Sequence, residues 1–167
     1  RLVQENRLVC YDQYVYRSAS ATVENNIAYH ISQLMQVEVE PYEHLDLAIL
    51  EEERKLKFRL APEQRDAIKM ALTSKFCVIT GGPGTGKTAV QKALLDLYRE
   101  KYPDAEIICC APTGQAAQRM KESSGLPSST IHKALCITAR DDGTLTEGCM
   151  LTADLILVDE VSMMDTF

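Results

Sequence analysis

The segment Gly81-Gly82-Pro83-Gly84-Thr85-Gly86-Lys87-Thr88 constrains the fold of this chain more than any other. It follows the short apolar run Phe76-Cys77-Val78-Ile79-Thr80 and opens a stretch in which Val90, Ala93, Leu94 and Leu97 recur at helical spacing. A brief, unbroken apolar run reads as a strand buried on both faces, because alternation appears only when one face meets water. Two further runs of this kind follow, Glu106–Cys110 and Leu155–Val158. Between them lie a helical segment, Gly114–Ser123, stopped by Gly125, and a turn or two of helix over Thr130–Leu135. A turn is expected at Asp141-Asp142-Gly143. Strands alternating with helices predict a parallel α/β sheet joined by right-handed crossovers.

The first third reads differently. Leu2–Cys10 has the pattern of a short hairpin turning at Glu5-Asn6. Val23, Ile27, Ile31, Leu34 and Met35 give Ser18–Gln36 the period of an amphipathic helix, and Pro41 breaks the chain. Glu38–Glu53 carries seven acids and no Lys or Arg, then Arg54, Lys55, Lys57 and Arg59 follow. Acid before base suits a helix dipole, and the run is expected to be a solvated face. Pro62 fits the first turn of a further helix with Ile68, Ala71 and Leu72 inward. The boundary is expected near Leu60, with an N-terminal hairpin and helical appendage at 1–60 and a partial nucleotide-binding domain at 61–167.

Of the 167 residues, 46% are hydrophobic and 25% charged, which fits a packed domain rather than a disordered tract. No apolar run is long enough to span a bilayer. A net charge of −6 argues weakly against nucleic acid, unless a local basic or amide-lined surface supplies the contacts. The six cysteines form no CxxC pair and no metal-finger spacing with His, so they are expected to be reduced and buried, as in a cytoplasmic protein.

The glycine segment has the Walker A form, Gly81-x4-Gly86-Lys87-Thr88. Glycines let the backbone wrap with its amides inward and no Cβ in the way. Such amides form an anion nest at a helix N-terminus. Gly82, Pro83, Gly84, Thr85 and Gly86 would line the cradle, Lys87 would reach the β- and γ-phosphates, and the Thr88 hydroxyl would face Mg²⁺. A chance match in a chain of this size is on the order of one in a hundred. Asp159-Glu160 ends the third apolar run, where α/β ligand sites lie. Asp159 would hold Mg²⁺ through water, and Glu160 would orient and deprotonate an attacking water. Together these residues point to hydrolysis of a nucleoside triphosphate.

Several segments around the loop resemble superfamily-one helicases. Leu60-Ala61-Pro62-Glu63-Gln64-Arg65-Asp66-Ala67 resembles the Q motif, Cys110-Ala111-Pro112-Thr113-Gly114-Gln115-Ala116-Ala117 motif Ia, and Leu157–Asp165 motif II. Ser129-Thr130-Ile131-His132-Lys133-Ala134-Leu135 is similar to a Thr-Ile-His segment of the RecD branch, the exonuclease V alpha subunit and its stand-alone relatives. The resemblance implies a RecA-like P-loop fold, ATP as nucleotide with Gln64 reading adenine, and movement 5′ to 3′ on single-stranded DNA in recombination or repair. It implies DNA contacts at Pro112, Thr113, Gly114 and His132, and nuclease-complex subunits as partners. In that family the pattern continues with a phosphate-sensing glutamine on a strand lying between the loop strand and the Asp-Glu strand. A gap is therefore expected between Phe76–Thr80 and Leu155–Val158, as in a fragment of a longer protein that binds nucleotide weakly and turns it over slowly. Another P-loop ATPase would share the loop but not the surrounding motifs, and against a non-catalytic nucleotide-binding module of a repair complex stand the intact Lys87, Thr88, Asp159 and Glu160.

Overall fold

The structure is a computed structural model, and it describes residues 7–141 and 144–164. Contacts divide these into two units, residues up to Pro41 with Thr73–Cys77, and Tyr42–Leu72 with Val78–Met164.

In the first unit, β1 (Leu8–Tyr11) and β2 (Tyr14–Arg17) pair antiparallel, with Leu8 opposite Arg17 and Tyr11 opposite Tyr14. The turn sits at Asp12-Gln13, where Asp12 takes φ 52°. Asp tolerates that left-handed position because its short side chain bonds locally. The hairpin expected over Leu2–Cys10 is thus displaced along the chain. Its intended second arm is β1, and Leu2–Asn6 lie outside the described residues. Tyr11 and Tyr16 meet edge to face at 5.9 Å, a cross-strand contact that favours the later register. Helix α1 (Ser18–Met35) follows directly, within a residue of the expected span. Its apolar stripe is not buried as amphipathicity predicts: Ala21 is buried, whereas Ile27 is 47% and Met35 70% exposed. Among the described elements of this unit, α1 packs mainly on the small hairpin, which is too small to cover five turns of helix.

The second unit begins with α2 (Leu45–Leu56) and α3 (Pro62–Leu72). Ile49 of α2 is fully buried with Leu60, Ile68 and Leu72, and with Val90, Ala93, Leu94 and Leu97 of α4 (Lys87–Lys101). Each Val, Leu or Ile among them contributes about 1.5–3 kcal/mol by leaving water. The division between units therefore falls before α2, not near Leu60. The acidic run also departs from a solvated face, since Glu52 and Glu53 are buried. Burial of carboxylates is tolerable here because each has a cation beside it, Lys55 and Arg65 respectively.

The sheet has three parallel strands in the order β4-β3-β5. Strand β3 is Ile107–Ala111, β4 is Ser128–Thr130 and β5 is Leu155–Val158. Cys110 stands opposite Ser129 on one side and Val158 on the other. Parallel neighbours need a crossover, and α5 (Gly114–Ser124) supplies it between β3 and β4. Ala111, Ala116 and Ala117 form a small buried cluster that lets α5 approach β3 closely. Thr113 caps α5 by accepting from the Ala116 amide at 3.2 Å, and Gly125 ends it at φ 71°. The short α6 (Ile131–Ala134) is capped by Thr130 in the same way. The arm beyond α6 pairs Ala139 with Leu145 across the expected turn, of which Asp142 and Gly143 lie outside the described residues.

The strand expected over Phe76–Thr80 does not form a ladder. Ile79 packs on the same core cluster as Leu155, but Val78 is 64% and Ile156 of β5 45% exposed. The two segments do not pair, which is the expected gap; without a neighbour, an apolar run has no backbone partners with which to become a strand. Strand β4 has no signature in the sequence, because Ser-Ser-Thr carries no apolar run.

Candidate nucleotide site

The loop after Ile79 wraps on glycines. Gly84 and Gly86 take φ 74° and 80°, where a side chain would be strained. A Cβ on Gly81 would stand 2.6 Å from Thr85 Oγ1, which itself donates to the Gly82 carbonyl at 2.8 Å. The Lys87 ammonium donates to the carbonyls of Gly81 and Gly82 at 2.6 and 3.0 Å, so it lies over the cradle. Among the described residues, the amides of Gly84, Thr85, Gly86 and Lys87 donate to no backbone carbonyl. Directly after them α4 starts, its first bonds running from Ala89 and Val90 to the Gly86 carbonyl. Uncommitted amides at a helix N-terminus, with an ammonium above them, fit a polyphosphate.

Gln64, in the first turn of α3, is joined to this loop. Its Nε2 donates to the Thr85 carbonyl at 2.9 Å, and its Oε1 accepts from the Ala61 amide at 2.8 Å. Gln64 and the glycine loop are thus one hydrogen-bonded assembly.

The parallel register aligns the carboxyl ends of the three strands. Pro112 and Thr113 leave β3, Ile131 and His132 follow β4, and Asp159 and Glu160 follow β5. The Asp159 amide continues the ladder to the Cys110 carbonyl at 3.0 Å. Asp159 Oδ1 accepts from the Glu160 amide at 2.9 Å, leaving Oδ2 for another partner. Glu160 is exposed and sits at φ 54°, a left-handed conformation unusual for a side chain of its size. Thr88 and His132 are exposed, and Pro112 and Thr113 half-buried. Among the described residues, Lys87 and Thr88 make no hydrogen bond or ion pair with Asp159 or Glu160. The loop with Gln64 forms one cluster, and the acidic pair with Pro112 and Thr113 lines the ends of the sheet. The donor set of a hydroxyl and a carboxylate suits Mg²⁺, which prefers hard oxygens. No group of three or more His, Cys, Asp or Glu among the described residues could hold a metal by itself.

A family profile described as an AAA domain matches residues 64–167. The chain belongs to that family. The match starts at Gln64 and takes in the loop, the sheet and the acidic pair. This AAA domain is also similar to three curated proteins. It is 37% identical over 117 residues to the ATP-dependent RecD2 DNA helicase of Deinococcus radiodurans, covering 66% of this chain and 15% of that protein. It is 32% identical over 167 residues to the RecBCD enzyme subunit RecD of Haemophilus influenzae, covering 82% and 26%. It is 36% identical over 126 residues to the RecD subunit of Mycolicibacterium smegmatis, covering 60% and 22%. The P-loop α/β fold and the RecD-like character read from the motifs hold, while the chain matches only about a quarter or less of each relative's length.

Sequence reasoning missed Glu53 as part of this neighbourhood. Its carboxylate takes the Leu60 amide at 2.8 Å and both Nε and Nη2 of Arg65 at 2.8 and 2.9 Å. The signal was an acid inside a helix whose apolar positions flank it, Ile49 before and Leu56 after. The cysteines also split. Cys109 and Cys110 are buried, with the Cys109 thiol pushed up to about 11 by burial, and Cys77 is half-buried. Cys10, Cys136 and Cys149 are exposed, contrary to the expectation of burial, because they lie in the hairpin and the arm after α6 rather than in core strands. No described helix is long and apolar enough to cross a membrane.

Proposed function

We propose that this domain binds ATP with Mg²⁺ and hydrolyses it as one motor half of a DNA helicase moving 5′ to 3′ on single-stranded DNA, in cytoplasmic recombination or repair. The observation that carries the reading is the joining of Gln64 to a glycine cradle on one side, with Asp159-Glu160 held at the carboxyl end of the sheet. A phosphate cradle alone would serve any P-loop protein; the base reader and the acidic pair make it an adenine-selective hydrolase.

In this reading the cradle amides and Lys87 take the phosphates, and Gln64 exchanges its contacts for the adenine edge. Thr88 and Asp159 would hold Mg²⁺, which when bound offsets charge on the β- and γ-phosphates. Glu160 orients the attacking water and takes its proton. Pro112, Thr113 and Gly114 offer the strand backbone the N-terminus of α5, a favourable place for a phosphate. His132, exposed after β4, lies at the same end of the sheet. Such amide and stacking contacts can hold single-stranded DNA on a protein of net charge −6. The names of the relatives, a DNA helicase and subunits of the RecBCD enzyme, support DNA as substrate and the subunits of an enzyme complex as partners; in this reading that complex is a nuclease.

In the full-length protein, Lys87→Ala should abolish binding of fluorescent ATP. Glu160→Gln should bind ATP normally but lose DNA-stimulated hydrolysis. Unwinding should need a 5′ single-stranded tail. Normal turnover by Glu160→Gln would return the domain to a binding module, and unwinding only from a 3′ tail would reverse the polarity.

A further inference from the structure

Helix α2 precedes the family match and has no role in the reading above, yet its side chains reach both the Q motif and α4. Glu53, 5% exposed, accepts three hydrogen bonds: from the Leu60 amide, which opens the Q-motif segment, and from Nε and Nη2 of Arg65, the residue after Gln64. Charge-assisted bonds to a fork-shaped guanidinium fix direction as well as distance. The two ends of the turn that carries Gln64 are thus tied to one carboxylate. Between those ends, Ala61 and Gln64 close the turn through the Ala61 amide, and Gln64 reaches the cradle at Thr85. One turn back on α2, Ile49 packs beside Leu60 and Ile68. On the other side of Glu53, Glu52 is 2% exposed and lies 3.2 Å from Lys55, whose ammonium is 2.8 Å from Glu100 of α4. Adjacent buried glutamates thus link α2 to the two helices that frame the nucleotide site: Glu53 directly to α3, which bears the base reader, and Glu52 by way of Lys55 to α4, which the loop opens.

We infer that Glu53, acting through Arg65 and the Leu60 amide, is a positioning residue for adenine recognition by Gln64. It touches no nucleotide itself. Without it the Leu60–Arg65 turn keeps its helix but loses the anchor that sets where the Gln64 amide points. The expected signature is loss of base selectivity with phosphate binding retained, because, among the described residues, Glu53 and Arg65 bond neither Lys87 nor the cradle amides, and Gln64 bonds the loop only at the Thr85 carbonyl. The inference rests on Gln64 being the base reader.

The test is a titration of the full chain with fluorescent ATP and fluorescent GTP, with thermal unfolding as the check on folding. Glu53→Ala and Arg65→Gln should each weaken ATP binding on the order of tenfold and leave GTP binding unchanged, so that the ATP-over-GTP ratio falls towards that of Gln64→Ala. The double variant should be no worse than either single one. Glu53→Gln keeps an oxygen for the Leu60 amide and should recover part of the ratio. Arg65 is partly exposed, so Arg65→Gln gives the answer even where Glu53→Ala fails to fold. Equal weakening of both nucleotides would reduce Glu53 to a scaffold and overturn the inference. So would an unchanged ratio in a chain whose Gln64→Ala variant has lost it. If Gln64→Ala itself keeps the ratio, the base-reading role fails, and the inference falls with it, by a distinguishable route.

Discussion

Gly86→Ala tests the assembly of Gln64 and the cradle directly. Gly86 stands at φ 80°, where an added Cβ costs about 1–2 kcal/mol. That Cβ would also collide with Gln64 Nε2. The amide is the mobile end of its side chain and would swing away, ending its bonds to the Thr85 carbonyl at 2.9 Å and from the Ala61 amide at 2.8 Å. Both bonds are exposed, so each is worth about 0.5–1 kcal/mol, the lower part of the usual range. The total is about 2–4 kcal/mol. Gly84→Ala is the matched control. It has nearly the same dihedral, φ 74°, but no atom within 4 Å of its Cβ, so it should cost the conformational part alone. Urea unfolding of the full chain measures both. The excess of Gly86→Ala over Gly84→Ala should vanish in a Gln64→Ala background, as double-mutant logic requires. Equal costs for the two glycines, or an excess that survives removal of Gln64, would refute the contact as the cause.

Other expectations follow from burial and charge. The Arg65 hydrogen bond, with the Leu60 amide, holds the Glu53 carboxyl below its ordinary value of 4.5. Its stabilising contribution is therefore complete above that value and is lost as pH falls through the lower folded one; Glu53→Gln should flatten the acid limb of urea midpoints measured against pH. Ile68 is fully buried between three helices, and Ile68→Ala should lower stability by about 2–5 kcal/mol with the denaturant slope unchanged. Alkylation followed by mass spectrometry should label Cys10, Cys136 and Cys149 first and Cys109 last, because burial both shields the Cys109 thiol and raises it to about 11. Early labelling of Cys109 would mean that β3 opens readily.

What could be read in advance was what depends on local pattern. The loop, helices α3 to α6, and strands β3 and β5 follow from period, caps and breakers that each segment carries itself. Elements set by a neighbour were not legible. Ser128–Thr130 is a strand only because β3 offers it an edge, and Phe76–Thr80 is not one because nothing pairs with it. Val23, Ile27 and Ile31 have the period of a buried face, but a period cannot say whether anything will cover it. Glu53 looked solvated because its partner, Arg65, is twelve residues away, beyond the reach of spacing rules within a helix. The residues proposed for the site stand out in the sequence by type and order. Their grouping, Gln64 with the cradle and Asp159 with the ladder end, came from the fold.

The left-handed turn at Glu160 sets stability against chemistry at a single position. At φ 54° a glycine would remove about 1 kcal/mol of conformational cost and, among the described residues, lose no hydrogen bond made by the side chain, since the Asp159 bond uses only the Glu160 amide. Glu160→Gly should therefore raise the unfolding temperature while deleting the carboxylate assigned to the attacking water. A library of this domain screened for heat resistance alone should enrich that exchange. Survivors of such a screen would need to be sorted by ATP turnover before any is called improved.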